Sequence, residues 1–195
     1  MTVSTPGHEW TVDLTKLPLT SDDCPACAAD ADPQSCMLNC PIGSPYIAGY
    51  SKSPPLVFFT VITTNMSQNV PHILYEADLT HGTIVRISTE ESGIGDLFVS
   101  PSGRYVAYAA YFSMGVCYVS SSIRVADLKG VGNRGNAIPI VDVGQPSGSV
   151  LAKPLRWKNA DTLVYEKATY PHERTCGPHR QQTQMANVRG LRFPN

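Results

Sequence analysis

The chain has 195 residues, 42% of them hydrophobic, and a formal charge of −1 with only 16% charged side chains. That apolar content suffices for a buried core, and a near-neutral chain without a basic stripe argues against nucleic acid as a partner. No apolar stretch approaches the roughly 18 residues of a membrane span, and the longest, Leu56 to Ile62, has strand length.

Residues 1–8 carry neither the basic nor the apolar region of a secretion signal. Trp10–Leu14 has the length and alternation of one β-strand, so residues 1–14 are expected to supply a strand that completes a sheet in cis or in trans. Residues 15–45 form a long connection rich in Pro, Ala and Asp, with Cys24, Cys27, Cys36 and Cys40 spaced C-x2-C-x8-C-x3-C. Four thiolates in a short loop suit tetrahedral zinc, but this spacing departs from the common zinc patterns. Disulfides that tie down a loop with little apolar content are the favoured reading. Cys117 and Cys176 bring the cysteines to six, all of them disulfide candidates, with a bridge between these two expected. An even cysteine number and the sequon Asn65-Met66-Ser67 point to an extracellular or periplasmic location. Asp22, Asp23, Asp30 and Asp32 lack the Gly and Glu of a calcium loop, so a solvated acidic loop is expected there. No cofactor is expected, with zinc at the cysteines and calcium at the acidic loop kept as alternatives.

Residues 46–193 repeat. Tyr46–Thr60, Asp96–Tyr108 and Pro154–Tyr165 each read as strand, tight turn and strong apolar strand. A second element follows in each copy: Ile73–Gly82, Ser122–Gly130 and Thr183–Gly190, sharing Ala-Asp/Asn-Leu/Val and then a Gly suited to positive φ. Thr83–Ile87 and Ile138–Val143 add a fourth strand to the first two copies, and Pro139 suits an outermost strand. The expected fold is therefore all-β: three four-stranded antiparallel propeller-type blades at about 46–87, 96–143 and 154–193, forming a partial propeller. A β-sandwich is the alternative. From Tyr105, residues 105, 107, 109 and 111 face one way and 106, 108, 110 and 112 the other, with bulk on both faces.

Val99-Ser-Pro-Ser-Gly-Arg-Tyr-Val-Ala-Tyr108 resembles the Trp-Ser-Pro-Asp-Gly signature of TolB-type β-propeller blades, and Ile123–Gly130 resembles the strand and turn that follow it. Ser102 stands where the family has Asp and Val99 where it has Trp, while Trp157 keeps the aromatic position in the third copy. The resemblance implies four-stranded blades, an N-terminal strand that often completes the last blade, and a role in protein interaction or ligand binding. In some members of that family the propeller accompanies a peptidase domain. It implies no catalytic residue, because none belongs to the repeat.

Three blades are too few to enclose an axis, which takes about four to eight. Open sheet faces and edges invite association with a second copy. The expected function is a non-enzymatic β-repeat scaffold that self-assembles edge to edge, as a ring or a filament, with itself as partner and no nucleic acid or membrane span. In such an arrangement residues 15–45, 63–72, 88–95, 109–117, 143–153 and 167–182 share one loop face, which collects the cysteines with His72, His172 and His179. Tyr111, Tyr118, His172, His179 and Arg180 are the candidate binding residues there. Two rivals remain: a hydrolase or lyase on that Cys/His-rich face, and a monomeric disulfide-stapled binder or inhibitor. No Gly-x-Ser-x-Gly, His-Glu-x-x-His or phosphate-loop motif supports catalysis.

Overall fold

The computed structural model describes residues 1–5, 8–19, 23, 43, 45–62, 72–90, 93–114, 119–129, 138–141, 150–169, 180–189 and 191. Regular structure among them is β-strand except for one 3-10 turn. The chain divides into two units, Met1–Thr89 and Glu90–Asn195, each with a core of its own.

In the first unit β1 (Thr2–Thr5) and β2 (His8–Thr11) form an antiparallel hairpin, extended one pair further by reciprocal Met1–Val12 main-chain bonds. The 3-10 turn Leu14–Lys16 follows. The sequence led us to expect one strand over 10–14; instead Asp13 ends the hairpin. Its Oδ1 accepts from the Thr15 amide at 3.1 Å and the Thr15 hydroxyl at 2.7 Å, so the side chain caps the turn and the chain leaves extended geometry. Among the described residues β2 pairs only with β1.

Next come β3 (Tyr46–Lys52), β4 (Pro55–Ile62), β5 (His72–Asp78) and β6 (Thr83–Glu90), a four-stranded meander in chain order. One face of β4 and β5 presents Val57, Phe59, Val61, Ile73, Tyr75 and Ala77, which pack with Val3, Val12 and Leu17 from the N-terminal segment. Each large apolar side chain taken fully out of water there contributes about 1.5–3 kcal/mol. The hairpin thus covers a face of the sheet.

The second unit contains β7 (Ile94–Val99), β8 (Tyr105–Met114), β9 (Val119–Asp127), β10 (Ile138–Val141), β11 (Val150–Trp157), β12 (Thr162–Thr169) and β13 (Arg180–Asn187). The antiparallel all-β expectation holds, with one difference. The second and third repeats belong to a single seven-stranded sheet, because β11 meets β9 in a short parallel bridge at Leu151 and Ser121. The buried Ser121 hydroxyl donates to the Ala152 carbonyl at 2.7 Å and accepts from its amide at 3.0 Å. Away from this bridge the two repeats stack. Tyr105, Ala107, Ile123 and Val125 of the second meet Ala152, Leu163, Tyr165 and Val188 of the third. Residues 105–110 are buried throughout, so this part of β8 is covered on both faces, as its two-sided bulk led us to expect.

The recurring Ala-Asp/Asn-Leu/Val has one physical cause in all three repeats. Asp78, Asp127 and Asn187 each accept, through a side-chain oxygen, the amide two residues on, from Thr80, Lys129 and Arg189 at 2.8, 3.0 and 2.9 Å. The next residue in each repeat, Leu79, Leu128 or Val188, donates its amide to Pro55, Arg104 or Asp161 at the start of the second strand. Gly82 takes φ +66 in the first of these turns. In the Ser-Pro-Ser-Gly turn Gly103 has φ +67, and Ser102 Oγ accepts from the Arg104 amide at 3.4 Å.

Candidate functional site

Of the candidate binding residues, Tyr111 is the one whose side chain falls among the described residues. It lies on β8 opposite β7, where the ladder breaks between Gly95 and Phe98. Its amide donates to the Gly93 carbonyl at 3.0 Å. Its ring lies against Gly95, where an added Cβ would sit 3.0 Å from the ring edge, so the glycine is what lets the aromatic rest on the backbone. Its hydroxyl donates to Asp96 Oδ2 at 2.8 Å. Asp96 sits at φ +48, a left-handed conformation that Asp tolerates better than most residues, and this aims its carboxylate at the phenol. Burial, then the bond to Asp96 and its negative charge, pushes the phenol up to about 12. The hydroxyl proposed for a ligand is therefore held by the protein itself.

Tyr118, His172 and His179 lie outside the described residues, as do Cys24, Cys27, Cys36, Cys40, Cys117 and Cys176. Arg180 is placed as the first residue of β13, opposite Thr169. Asp23 is the one member of the acidic set that is described. It is buried and accepts from Arg86 Nη1 at 2.6 Å, and Arg86 also donates to Thr89 Oγ1. This carboxylate anchors its segment to β6. His72 opens β5, and burial lowers its pKa below the ordinary imidazole value.

The sequence reading missed two clusters. Glu90, nearly buried, accepts from the Tyr108 hydroxyl at 2.8 Å and lies 3.8 Å from Arg124 Nε. In the sequence it reads only as part of a polar Glu-Glu-Ser-Gly link. Elsewhere in the second unit Trp157 stacks on Tyr105, ring centres 6.2 Å apart, and donates from Nε1 to the Phe98 carbonyl at 3.0 Å. The Arg104 guanidinium lies 4.9 Å from the Tyr105 ring centre and donates twice to Asp127 Oδ2. Aromatic residues at matching repeat positions were the available signal for this second cluster. Glu90 is the first residue of the second unit, and the second cluster ties β7, β8 and β11 together within that unit.

A cavity of about 90 Å³ opens in the first unit between the hairpin exit and the Asp78–Gly82 turn, lined by Thr11, Asp13, Lys16 and Leu79 among others. Metabolite sites run to about 300–1,000 Å³, so this one suits a few waters. No group of three or more potential metal ligands occurs among the described residues, and no described helix is long and apolar enough to cross a membrane.

No protein-family model matches the chain, and no curated protein matches its sequence. Among solved structures it is similar to the crystal structure of the tricorn protease, with a TM-score of 0.44 and 16% identity. The match covers 75% of this chain and 13% of the other, so the chain spans a small part of that protein's length.

Proposed function

We propose that this is a non-enzymatic, extracytoplasmic β-repeat protein of TolB-like blade type that self-associates through its sheet edges and works as a structural or binding scaffold. One observation carries the reading. In the first two repeats a fourth strand, β6 or β10, lies outside the third, whereas β13 has no strand beyond it among the described residues. A ladder of unpaired amides and carbonyls is a template for another strand. The polar clusters support a scaffold role, since Tyr111, Glu90 and Arg104 are each engaged with neighbouring side chains.

The location rests on the even cysteine count and the sequon. Size-exclusion chromatography with light scattering, joined to negative-stain imaging, tests the association. Dimers, rings or fibres are expected, and a monodisperse monomer at every concentration sinks the reading. Thiol labelling of the denatured, unreduced protein tests the compartment, with no free cysteine expected.

A further inference from the structure

The sheet edges of this chain are not equivalent. The β3 ladder breaks between Ile47 and Gly49, and the β7 ladder between Gly95 and Phe98, where Asp96 has positive φ. The four-residue β10 carries Pro139 and a further break between Pro139 and Val141. β6 carries Arg86, tied to the buried Asp23. Bulges, prolines, short length and charge are the devices that stop an edge from accepting another strand.

β13 has no bulge or proline, and no charge past its first residue. Its eight residues pair one to one with β12, from Thr162–Asn187 to Thr169–Arg180, without a register break. Its sequence, Arg-Gln-Gln-Thr-Gln-Met-Ala-Asn, contains no Pro, Gly or acidic residue, and its one charge stands at the first position. Gln181, Gln182 and Thr183 are exposed, and Met185 is 61% exposed, an apolar side chain on an otherwise polar face.

We infer that β13 pairs antiparallel with β13 of a second copy about a two-fold axis, so that one sheet continues into the other. The inference rests on the self-association reading above and gives it a geometry. Residues directly opposite in an antiparallel ladder share a face, and a two-fold axis normal to the sheet keeps every residue on its own face. Only registers joining residues of equal parity are then allowed. With the axis at Gln184, Gln184 meets itself, Thr183 meets Met185, Gln182 meets Ala186 and Gln181 meets Asn187. Each Met185 is then flanked by the partner's Thr183, glutamine amides lie beside one another, and the two Arg180 positions fall at opposite ends. No like charges are opposed, which is the self-complementarity an isologous contact needs. Such a contact closes at two copies, and one strand pair buries less than the about 1,200 Å² of a standard interface, so the dimer is concentration-dependent.

Sedimentation velocity on the full chain over a wide concentration range, with Met185→Lys beside wild type, tests the inference. Met185 is 61% exposed with Lys158 Nζ 4.0 Å from its sulfur, so the lysine sets two like charges diagonally across the axis, and a melting curve of the variant separates that effect from repulsion by Lys158 within one chain. Dimerisation is expected to weaken by about tenfold or more. In Gln184→Cys the two Cα atoms face each other at about 4.5–5.5 Å, within disulfide reach. Mild oxidation of that variant should yield, by mass spectrometry, a disulfide-linked pair of identical peptides joined at the substituted position. Undiminished association in Met185→Lys, with no such peptide pair from Gln184→Cys, overturns the two-fold contact and leaves self-association standing on another edge. A wild-type chain that stays monomeric throughout removes both.

Discussion

The two units bury their sheets by different means. In Met1–Thr89 the face carrying Phe59 and Tyr75 is covered by a hairpin and a short turn that belong to no repeat. In Glu90–Asn195 the opposite face of the second repeat, carrying Tyr105 and Ile123, is covered by the face of the third repeat that carries Leu163 and Tyr165. A repeat of this size cannot bury its own apolar face, so it takes a neighbour or a cap. The far face of the third repeat follows a third course. It carries exposed Arg156, Thr183 and Gln181 and the Lys153–Glu166 pair at 3.7 Å, with exposed Met185 and buried Val164 and Ala168 among them. Apolar terminal margins are the sequence's reason to expect association. The first repeat is capped on the face carrying Phe59, and the third presents mostly polar groups, so the case for a partner passes from sheet faces to the β13 edge.

Each unit holds one tryptophan, Trp10 or Trp157, which allows them to be followed separately. Phe59 is fully buried and stacked on Tyr75 with ring centres 5.6 Å apart, so Phe59→Ala should cost about 3–5 kcal/mol. Denaturation followed through Trp10 in a Trp157→Phe background should show the full loss. Trp157 in a Trp10→Phe background should show little, and equal shifts at both probes would break the distinction between two cores.

Ser121→Ala acts on the second unit instead. It strips both partners from the Ala152 amide and carbonyl at the bridge between repeats, at a cost of about 2–4 kcal/mol. The loss should appear at Trp157. A change under about 0.5 kcal/mol would mean that face-to-face stacking alone joins the two repeats.

The smallest effect is expected at Tyr111. Removing its hydroxyl loses one bond to an exposed carboxylate, about 1 kcal/mol. Its folded pKa of about 12 lies above the ordinary value of 10, so the contribution is complete below pH 10 and is lost as pH rises through 12. Burial also raises Tyr105 and Tyr165, so ultraviolet titration should show one fewer late-ionising phenol in Tyr111→Phe than in wild type. An unchanged number of late phenols in the variant would mean that Tyr111 is not among them.

The repeat is legible because its signals are local. An Asx turn, a positive-φ glycine and a period-two strand act over a few residues, which is why Asp78, Asp127 and Asn187 align by eye. The candidate site is less legible. Tyr111 stands out in the sequence, but its contact with Gly95 and Asp96 depends on a ladder break and a left-handed Asp, which arise from how β7 meets β8. The N-terminal strand is misjudged from sequence because Trp10–Leu14 alternates well enough to pass as one strand. The Asp13 cap and the pairing of Thr2–Thr5 with His8–Thr11 win over that alternation.

Three copies of an antiparallel unit, and the in-and-out alternation along their strands, can be read from the residues alone, since both follow from backbone geometry over short spans. What covers the Phe59 and Tyr105 faces, the union of β9 and β11 in one sheet, and the unbroken pairing of β13 with β12 came from long-range packing. Those outcomes depend on contacts between residues far apart in the chain, where many pairings satisfy the local pattern and packing selects one.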